Sequence, residues 1–305
     1  TYFVTANNQK YVVKYPSDNE MNHPELEPRL CDYLCKHGIP ASRFIENLQG
    51  KVLSFDENGR RFHVQKFIDG VTYPYNKAPD FLLEKAPGLL AEIHEALKDF
   101  EELPEGIGAD FFQNRKPEKT IKSFERSLQI AIKNGDDEDA DDICDIINVL
   151  KHFPKYEFAV SKFTYGNTHG DYIISQFICA DNEIKGIIDW TTACRHPLVW
   201  EVVRSYIFMA PECRKGMLNL EKFECYLKAY LKKGRLNKYD IENAGRLFFY
   251  FLAVCDFYGQ YYQSLAKNRV LYLEQAKLSK NMLNWFDRHI DELNAKLKKI
   301  ADEIG

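Results

Sequence analysis

The amino-acid sequence predicts an α+β fold with two lobes, in which a small antiparallel sheet (residues 1–68) precedes a larger, mostly helical lobe (residues 69–305). Short runs of β-branched and aromatic residues are concentrated in the first 70 residues, which is typical of strands. Apolar residues at helical spacing dominate the rest of the chain. The 305 residues are enough to give two lobes a sizeable core each.

The first lobe is expected to contain two strands, a helix and two further strands. The runs "TYFVT" and "KYVVKY" flank "ANNQ", whose asparagines tolerate the positive φ of a tight hairpin turn. In the helix that follows, Pro28 suits the first turn and Gly38 suits the end. The stretch "KVLSFDENGRRFHVQKFIDG" predicts a second hairpin that turns at "DENG".

Helical spacing begins after this hairpin in "DFLLEKAPGLLAEIHEAL" and is interrupted by a β-rich island at "FICADNEIKGIIDW". The run "LFFYFLAVCDFYGQYY" predicts core packing or, as the alternative, a pocket that receives a cation beside Asp256. The last helix carries an apolar stripe that predicts packing on the fold or a dimer contact, so both a monomer and a homodimer are expected possibilities. The stripe consists of Leu283, Phe286, Ile290, Leu293, Leu297 and Ile300.

The composition is that of a soluble globular protein, with 45% hydrophobic and 28% charged residues. A net charge of -4 gives no reason to expect a nucleic acid partner. The apolar run from Leu247 to Cys255 is too short to span a bilayer, so no membrane partner is expected. Eight cysteines without a CxxC pair, and no visible secretory signal, predict reduced thiols and a cytoplasmic protein.

Chemistry is concentrated in "HGDYIISQ" (residues 169–176) and in "GIIDW", which follows it. The two isoleucines of "GIIDW" predict a buried strand that ends at Asp189. Mg²⁺ takes oxygen ligands, usually one or two from the protein together with phosphate oxygens and water. Asp189 and the side-chain oxygen of Gln176 can supply them, which leaves Asp171 to accept a hydrogen bond from a substrate hydroxyl. Phosphoryl transfer requires this division of positioning and charge neutralisation.

The first lobe offers the complementary positive charge. In "YVVKY" the strand period places Val12 and Lys14 on one face, where a purine and its phosphates can lie side by side. Glu27, in the first turn of the next helix, is expected to pair with Lys14 and hold it extended.

Together these motifs resemble the aminoglycoside phosphotransferase and choline kinase family, small-molecule relatives of the protein kinases. The likeness covers essentially the whole chain: Lys14 on a strand, Glu27 on the next helix, "QKFIDG" as a linker, "GLLAEIHEAL", then "HGD" and "IIDW". It implies a two-lobe protein-kinase-like fold and an enzyme that transfers the γ-phosphate of ATP or GTP, assisted by Mg²⁺, to a hydroxyl of a small substrate. An aminoglycoside, an amino alcohol, homoserine or a sugar all fit.

The resemblance also implies roles for individual residues. Asp171 would be the catalytic aspartate with His169 shaping its loop, and Gln176 and Asp189 would hold the metal. The remaining positions would bind the nucleotide: Val12 beside the purine, Lys14 on the α- and β-phosphates, Glu27 as its brace, the Lys66 carbonyl and Ile68 amide at the adenine edge, and Ile178 and Ile188 as the floor.

The chain departs from the family pattern at three places. Gln176 replaces the metal-binding asparagine, and His196-Pro197 and Trp200-Glu201 replace the Asp-Pro and Trp-Asp signatures. These changes favour the alternative function, a nucleotide-binding pseudokinase with a regulatory or scaffolding role. His94 and His196 are expected to be structural. The glycine-rich loop that covers the phosphates is expected upstream of Thr1.

Overall fold

The computed structural model describes residues 1–16, 25–74, 77–263 and 269–304. Its first part is an antiparallel sheet, as predicted. The first hairpin turns at Asn7 and Asn8, which adopt φ values of 50° and 60°, and the second turns within "DENG". The strands are β1 (Tyr2–Ala6), β2 (Gln9–Lys14), β3 (Phe44–Ile45), β4 (Leu53–Phe55) and β5 (Arg61–Lys66).

The sheet has the order β1-β2-β5-β3, with β4 also paired to β5. Strand β3 was not predicted, because two residues are too few to show an alternation of apolar and polar side chains. Helix α1 (Leu26–Lys36) lies between β2 and β3 and buries Leu30, Cys31 and Leu34 completely. The division into lobes at residue 68 stays a prediction.

The larger part of the chain is helical, with two short β-ribbons inserted. The ribbons pair β6 with β9 and β7 with β8, both antiparallel. The elements are α2 (Asp80–Ala96), α3 (Ala109–Asn114), α4 (Pro117–Asn134), α5 (Asp137–Lys151), β6 (Tyr165–Thr168), β7 (Phe177–Ala180), β8 (Glu183–Ile187), β9 (Cys194–Pro197), α6 (Leu198–Met209), α7 (Leu220–Leu231), α8 (Lys238–Val254), α9 (Phe257–Gln263) and α10 (Arg269–Ile304).

The apolar stripe of α10 packs on α8, so the prediction that it covers the fold is confirmed. Phe286 stacks on Phe249 with ring centroids 5.8 Å apart. Asp256 accepts the backbone N–H of Gly259 at 2.6 Å, and most of the aromatic run that precedes it is core. Among the described residues, no helix combines the length and the apolar character that a bilayer crossing needs.

All twelve residues of helix α6 are buried. Its side chains are apolar or aromatic except for Ser205 and two charged residues, Glu201 and Arg204. The β6–β9 ribbon packs against α6, and β6 ends at Thr168, immediately before the "HGD" motif. Strand β8 ends two residues before Asp189. The ribbons therefore carry both sequence motifs to one region of the molecule.

Candidate active site

A cavity of about 340 Å³ lies between the N-terminal sheet and the β7–β8 ribbon. Strand β2, the linker that follows β5 and the end of β8 all contribute to its wall. Seven of the lining residues are ones predicted from the sequence to bind a nucleotide or its metal. They are Val12, Lys14, Lys66, Ile68, Ile178, Ile188 and Asp189.

A lysine–aspartate pair lies at one side of this cavity. The ammonium of Lys14 donates to Oδ1 of Asp189 at 2.5 Å, and the hydroxyl of Thr191 donates to the same oxygen at 2.9 Å. Burial opposes ionisation of Asp189, but these two donors outweigh it and lower the pKa of the carboxyl. Asp189 is therefore ionised at neutral pH, as a metal ligand must be.

The expected pair between Lys14 and Glu27 is corrected by the structure. Within the described ranges, the carboxylate that pairs with Lys14 is that of Asp189. Glu27 is 4% exposed and accepts the backbone N–H of Trp190 at 3.1 Å. The reason is packing: the first turn of α1 contacts the turn at 190–192, which places Glu27 against main-chain donors.

His169 joins the two motifs. Its Nδ1 accepts the backbone N–H of Asp171 at 3.2 Å, and its Nε2 donates to the carbonyl of Ile188 at 3.0 Å. The ring is fully buried and packs on Trp190 with centroids 4.4 Å apart. Because the main chain uses both ring nitrogens, this imidazole holds the loop in place and has no nitrogen left for proton transfer.

Gly170 is required by the close approach of two loops. It has φ +78°, and a Cβ at this position would lie 2.1 Å from the carbonyl oxygen of Thr192. The hydroxyl of Thr192 donates to the carbonyl of His169 at 3.2 Å, which fixes the two loops against each other.

We expect Gly170→Ala to lower the free energy of unfolding by about 2–5 kcal/mol, since it combines a strained φ with a backbone clash. Urea unfolding measures the change. Gly135→Ala is the matched control: Gly135 also has φ +78°, but nothing lies within 4 Å of the added Cβ. The control should cost only about 1 kcal/mol, because the left-handed backbone alone is penalised. Equal costs for the two variants would show that the Thr192 contact is unimportant.

Both carboxylate oxygens of Asp171 accept hydrogen bonds from the protein. Nε2 of Gln176 donates to Oδ2 at 2.8 Å, and the guanidinium of Arg204 donates to Oδ1 at 2.6 Å. Arg204 was missed by the sequence analysis. The available signal was its place in an otherwise apolar helix, where a charged side chain is buried and requires a partner.

Glu201, which stands where the family has an aspartate, holds the next residue of the loop. Its Oε1 accepts the backbone N–H of Tyr172 at 3.2 Å. The neighbouring imidazoles are structural, as expected: His94 contacts the hydroxyls of Thr168 and Tyr230, each at 2.8 Å. Burial lowers the pKa of His94, so its ring is neutral at physiological pH.

His196, which stands where the family has an aspartate, is also neutral. Its Nδ1 accepts the backbone N–H of Ile107 at 2.7 Å, and burial lowers its pKa to about 4. His196 and Glu201 thus both accept hydrogen bonds from the main chain, and that of Glu201 comes from the loop that follows Asp171.

In the described ranges, no cluster of three or more His, Cys, Asp or Glu side chains is arranged to hold a metal ion. Mg²⁺ bound with a nucleotide does not require one, because phosphate oxygens and water complete its coordination. Asp189 and Gln176 offer oxygen donors, and that donor type fits Mg²⁺.

The model of the phosphotransferase enzyme family matches residues 1–230 of the chain. The chain belongs to this family. The match includes the strand of Lys14, the loop of Asp171 and the strand end of Asp189, so the resemblance expected from the sequence is confirmed.

Solved structures share the fold at low identity. An amicoumacin kinase in complex with AMP-PNP, Ca²⁺ and Ami has a TM-score of 0.59 and 13% identity, covering 92% of this chain and 84% of that one. An aminoglycoside phosphotransferase from Alicyclobacillus acidocaldarius has a TM-score of 0.58 and 11% identity over 99% and 93%. A microcompartment-associated aminopropanol kinase has a TM-score of 0.59 and 12% identity over 97% and 90%. The two-lobe kinase-like fold is therefore confirmed. No curated protein matches the sequence.

Proposed function

We propose that this phosphotransferase is a small-molecule kinase that transfers the γ-phosphate of ATP or GTP to a hydroxyl of its substrate. The observation that carries the proposal is the cavity in which β2, the linker after β5 and the end of β8 surround the Lys14–Asp189 pair. Phosphoryl transfer needs positioned charge more than covalent chemistry, and this cavity supplies a cation, an anion and apolar walls.

The nucleotide side of the proposal rests on the wall of the cavity. Val12 lies on the sheet side and Ile178 and Ile188 on the ribbon side, which suits a flat purine between them. The backbone N–H of Ile68 makes no hydrogen bond with another described residue, so it is a donor for the adenine or guanine edge. Lys14 supplies the positive charge for the phosphates. The amicoumacin kinase of the same fold was solved with AMP-PNP, which supports a nucleotide in this chain.

The metal side rests on Asp189 and Gln176. When bound, Mg²⁺ would neutralise phosphate charge that protein side chains alone leave uncompensated. Asp189 is held ionised by Lys14, and Gln176 uses its amide nitrogen on Asp171, which leaves its amide oxygen as the ligand atom.

Asp171 orients the acceptor hydroxyl in this proposal. A carboxylate oxygen can accept two hydrogen bonds, so each oxygen of Asp171 keeps one acceptor position after the protein donors are counted. The acceptor is a hydroxylated small molecule of the aminoglycoside, amino alcohol, homoserine or sugar type.

All eight cysteines are free thiols, which favours a cytoplasmic setting.

Thermal unfolding of the wild type with ATP or GTP, with and without Mg²⁺, tests nucleotide binding, since a ligand that binds the folded state raises Tm. Phosphate transfer is then screened over hydroxylated amines, homoserine and sugars. We expect stabilisation that depends on Mg²⁺, followed by transfer to one acceptor class. Equal stabilisation in EDTA, with transfer to none of the acceptors, would instead support a second candidate function, which is that of a pseudokinase.

That second candidate is a nucleotide-binding pseudokinase with a regulatory or scaffolding role. One observation favours it: Arg204 and Gln176 already occupy one acceptor position on each oxygen of Asp171. A pseudokinase needs no proton acceptor there.

Variants of Gln176 test the metal site. We expect Gln176→Asn to retain activity with a changed Mg²⁺ requirement, because the ligand oxygen stays but lies one methylene closer to the backbone. Gln176→Leu should lose most of the activity, because it removes the oxygen. Phosphate transfer measured against Mg²⁺ concentration shows both effects.

Gln176→Glu separates the proposed metal-binding oxygen of this side chain from its hydrogen bond to Asp171. The glutamate keeps an oxygen but lacks the N–H that donates to Asp171. Full activity of the leucine variant at low Mg²⁺ would show that Gln176 is only a loop residue.

A further inference from the structure

The guanidinium of Arg204 lies in a built site within the apolar helix α6. Its side chain is 10% exposed. Trp200 and Phe208, one turn before and one turn after it, face the guanidinium with ring centroids 5.5 and 4.5 Å from its central carbon. Aromatic faces stabilise a desolvated cation and hold the guanidinium in one orientation.

The polar partner of this guanidinium is the carboxylate of Asp171. One terminal nitrogen donates to Oδ1 at 2.6 Å, while Gln176 donates to Oδ2 at 2.8 Å. Two donors on the two oxygens fix the rotation of the carboxylate about its Cβ–Cγ bond. Asp171 then presents its remaining acceptor positions in a set direction.

Stability alone does not account for this arrangement. A buried ion pair adds little net stability over apolar side chains of similar volume, because desolvation offsets most of the attraction. Leu or Met at position 204 would fill space but would make no hydrogen bond with Asp171. A charged hydrogen bond, unlike an apolar contact, fixes the orientation of the group that accepts it.

We propose that Arg204 is a positioning residue that acts through Asp171; this inference rests on the proposed kinase function. Arg204 holds the carboxylate so that the acceptor hydroxyl meets an oxygen of Asp171 in line with the transferred phosphoryl group. It is not among the residues that line the cavity proposed for the nucleotide. Its substitution therefore changes kcat and leaves nucleotide affinity unchanged.

The test compares Arg204→Met and Arg204→Lys with the matched control Arg195→Met. Arg195 also pairs with a carboxylate, that of Glu102 at 3.3 Å, and lies over an aromatic ring, that of Tyr165, but outside the candidate site. We expect kcat to fall about 100-fold in Arg204→Met, the loss typical of a misplaced reacting group. Arg204→Lys should lose less, because it keeps the charge, and Arg195→Met should match the wild type. Nucleotide-dependent thermal stabilisation should be the same in all four proteins.

Two further measurements exclude a merely structural role. Arg204→Ala leaves space for a guanidinium ion, so millimolar guanidinium should raise transfer in this variant and leave the wild-type-like rate of Arg195→Ala unchanged. In the Asp171→Asn background, Arg204→Met should cost little further activity, because residues that act as one unit are not additive.

The outcomes separate this inference from the proposed function. A wild type that transfers phosphate to no acceptor overturns the kinase function itself. An active wild type with an equally active Arg204→Met variant overturns only the role of Arg204. If Arg204→Met does not fold, as shown by loss of its cooperative thermal unfolding transition, Arg204→Lys and guanidinium rescue decide. The inference is overturned if guanidinium does not rescue Arg204→Ala and if Arg204→Met also causes its full loss of activity in the Asp171→Asn background.

Discussion

Asp171→Asn is expected to abolish phosphate transfer while nucleotide affinity stays close to the wild-type value. The asparagine keeps the size of the side chain but loses the charge of the carboxylate, which accepts a hydrogen bond from Arg204 and, in the proposed function, from the acceptor hydroxyl. Positioned acid–base groups contribute roughly 10²–10⁴-fold to a rate, so the loss of transfer should fall in that range. Asp171 is not among the residues that line the cavity proposed for the nucleotide, which is why binding should persist. Steady-state transfer and nucleotide titration measure the two effects.

Asp181→Asn is the control for this substitution. Asp181 lies in the turn of the β7–β8 ribbon with φ 55°, a backbone conformation that asparagine adopts readily, so this variant should behave like the wild type. An Asp171→Asn variant that keeps more than about a tenth of the wild-type rate would contradict the assignment of a catalytic aspartate.

Lys14→Ala is expected to weaken both the binding and the turnover of nucleotide. A hydrogen bond to a charged group contributes about 1.5–3 kcal/mol, which corresponds to a loss of affinity of about tenfold to a hundredfold. The substitution also removes the cation beside Asp189. Burial, the largest influence on that carboxyl, would then raise the pKa of Asp189 from its lowered value. A carboxylate must be ionised to bind a metal. On acidification, the Lys14→Ala variant should therefore lose activity at a higher pH than the wild type does.

Lys10→Ala is the matched control, because Lys10 lies on the same strand and pairs with a carboxylate, that of Asp69 at 3.2 Å. Both partners of that pair are largely exposed, so its loss should change little. Isothermal titration and a pH–rate profile of the three proteins give the result. Unchanged affinity, turnover and pH profile in Lys14→Ala would mean that β2 does not face the phosphates.

Local sequence signals were sufficient for most of the secondary structure. The "ANNQ" and "DENG" turns, the helix after Pro28 and the apolar stripe of the last helix all occur as predicted. Each of these depends on residues within a few positions of one another, where turn chemistry and helical period act directly. The two-residue strand β3 was missed, since its pairing with β5 is a long-range contact with no local pattern.

The grouping of the candidate site was also predictable, because the order of the motifs along the chain is that of a known family. Residues from β2, the linker after β5 and the β7–β8 ribbon do line one cavity, although their individual functions stay predictions. Glu27 was placed correctly at the start of α1 but given the wrong partner, because its surroundings depend on how α1 packs against the turn at 190–192.

The sequence by itself thus determined most of the order of elements, the two-lobe fold and the positions of the candidate site residues. Only the tertiary structure decided which charges meet. Lys14 pairs with Asp189 across 175 positions, and Arg204 reaches Asp171 across 33. Period and turn chemistry act between near neighbours in the chain, whereas an ion pair forms between groups that packing brings within hydrogen-bond distance. The packing of α6 against the loop at 169–172 therefore selected the partner of Asp171, and no local pattern in the sequence records that choice.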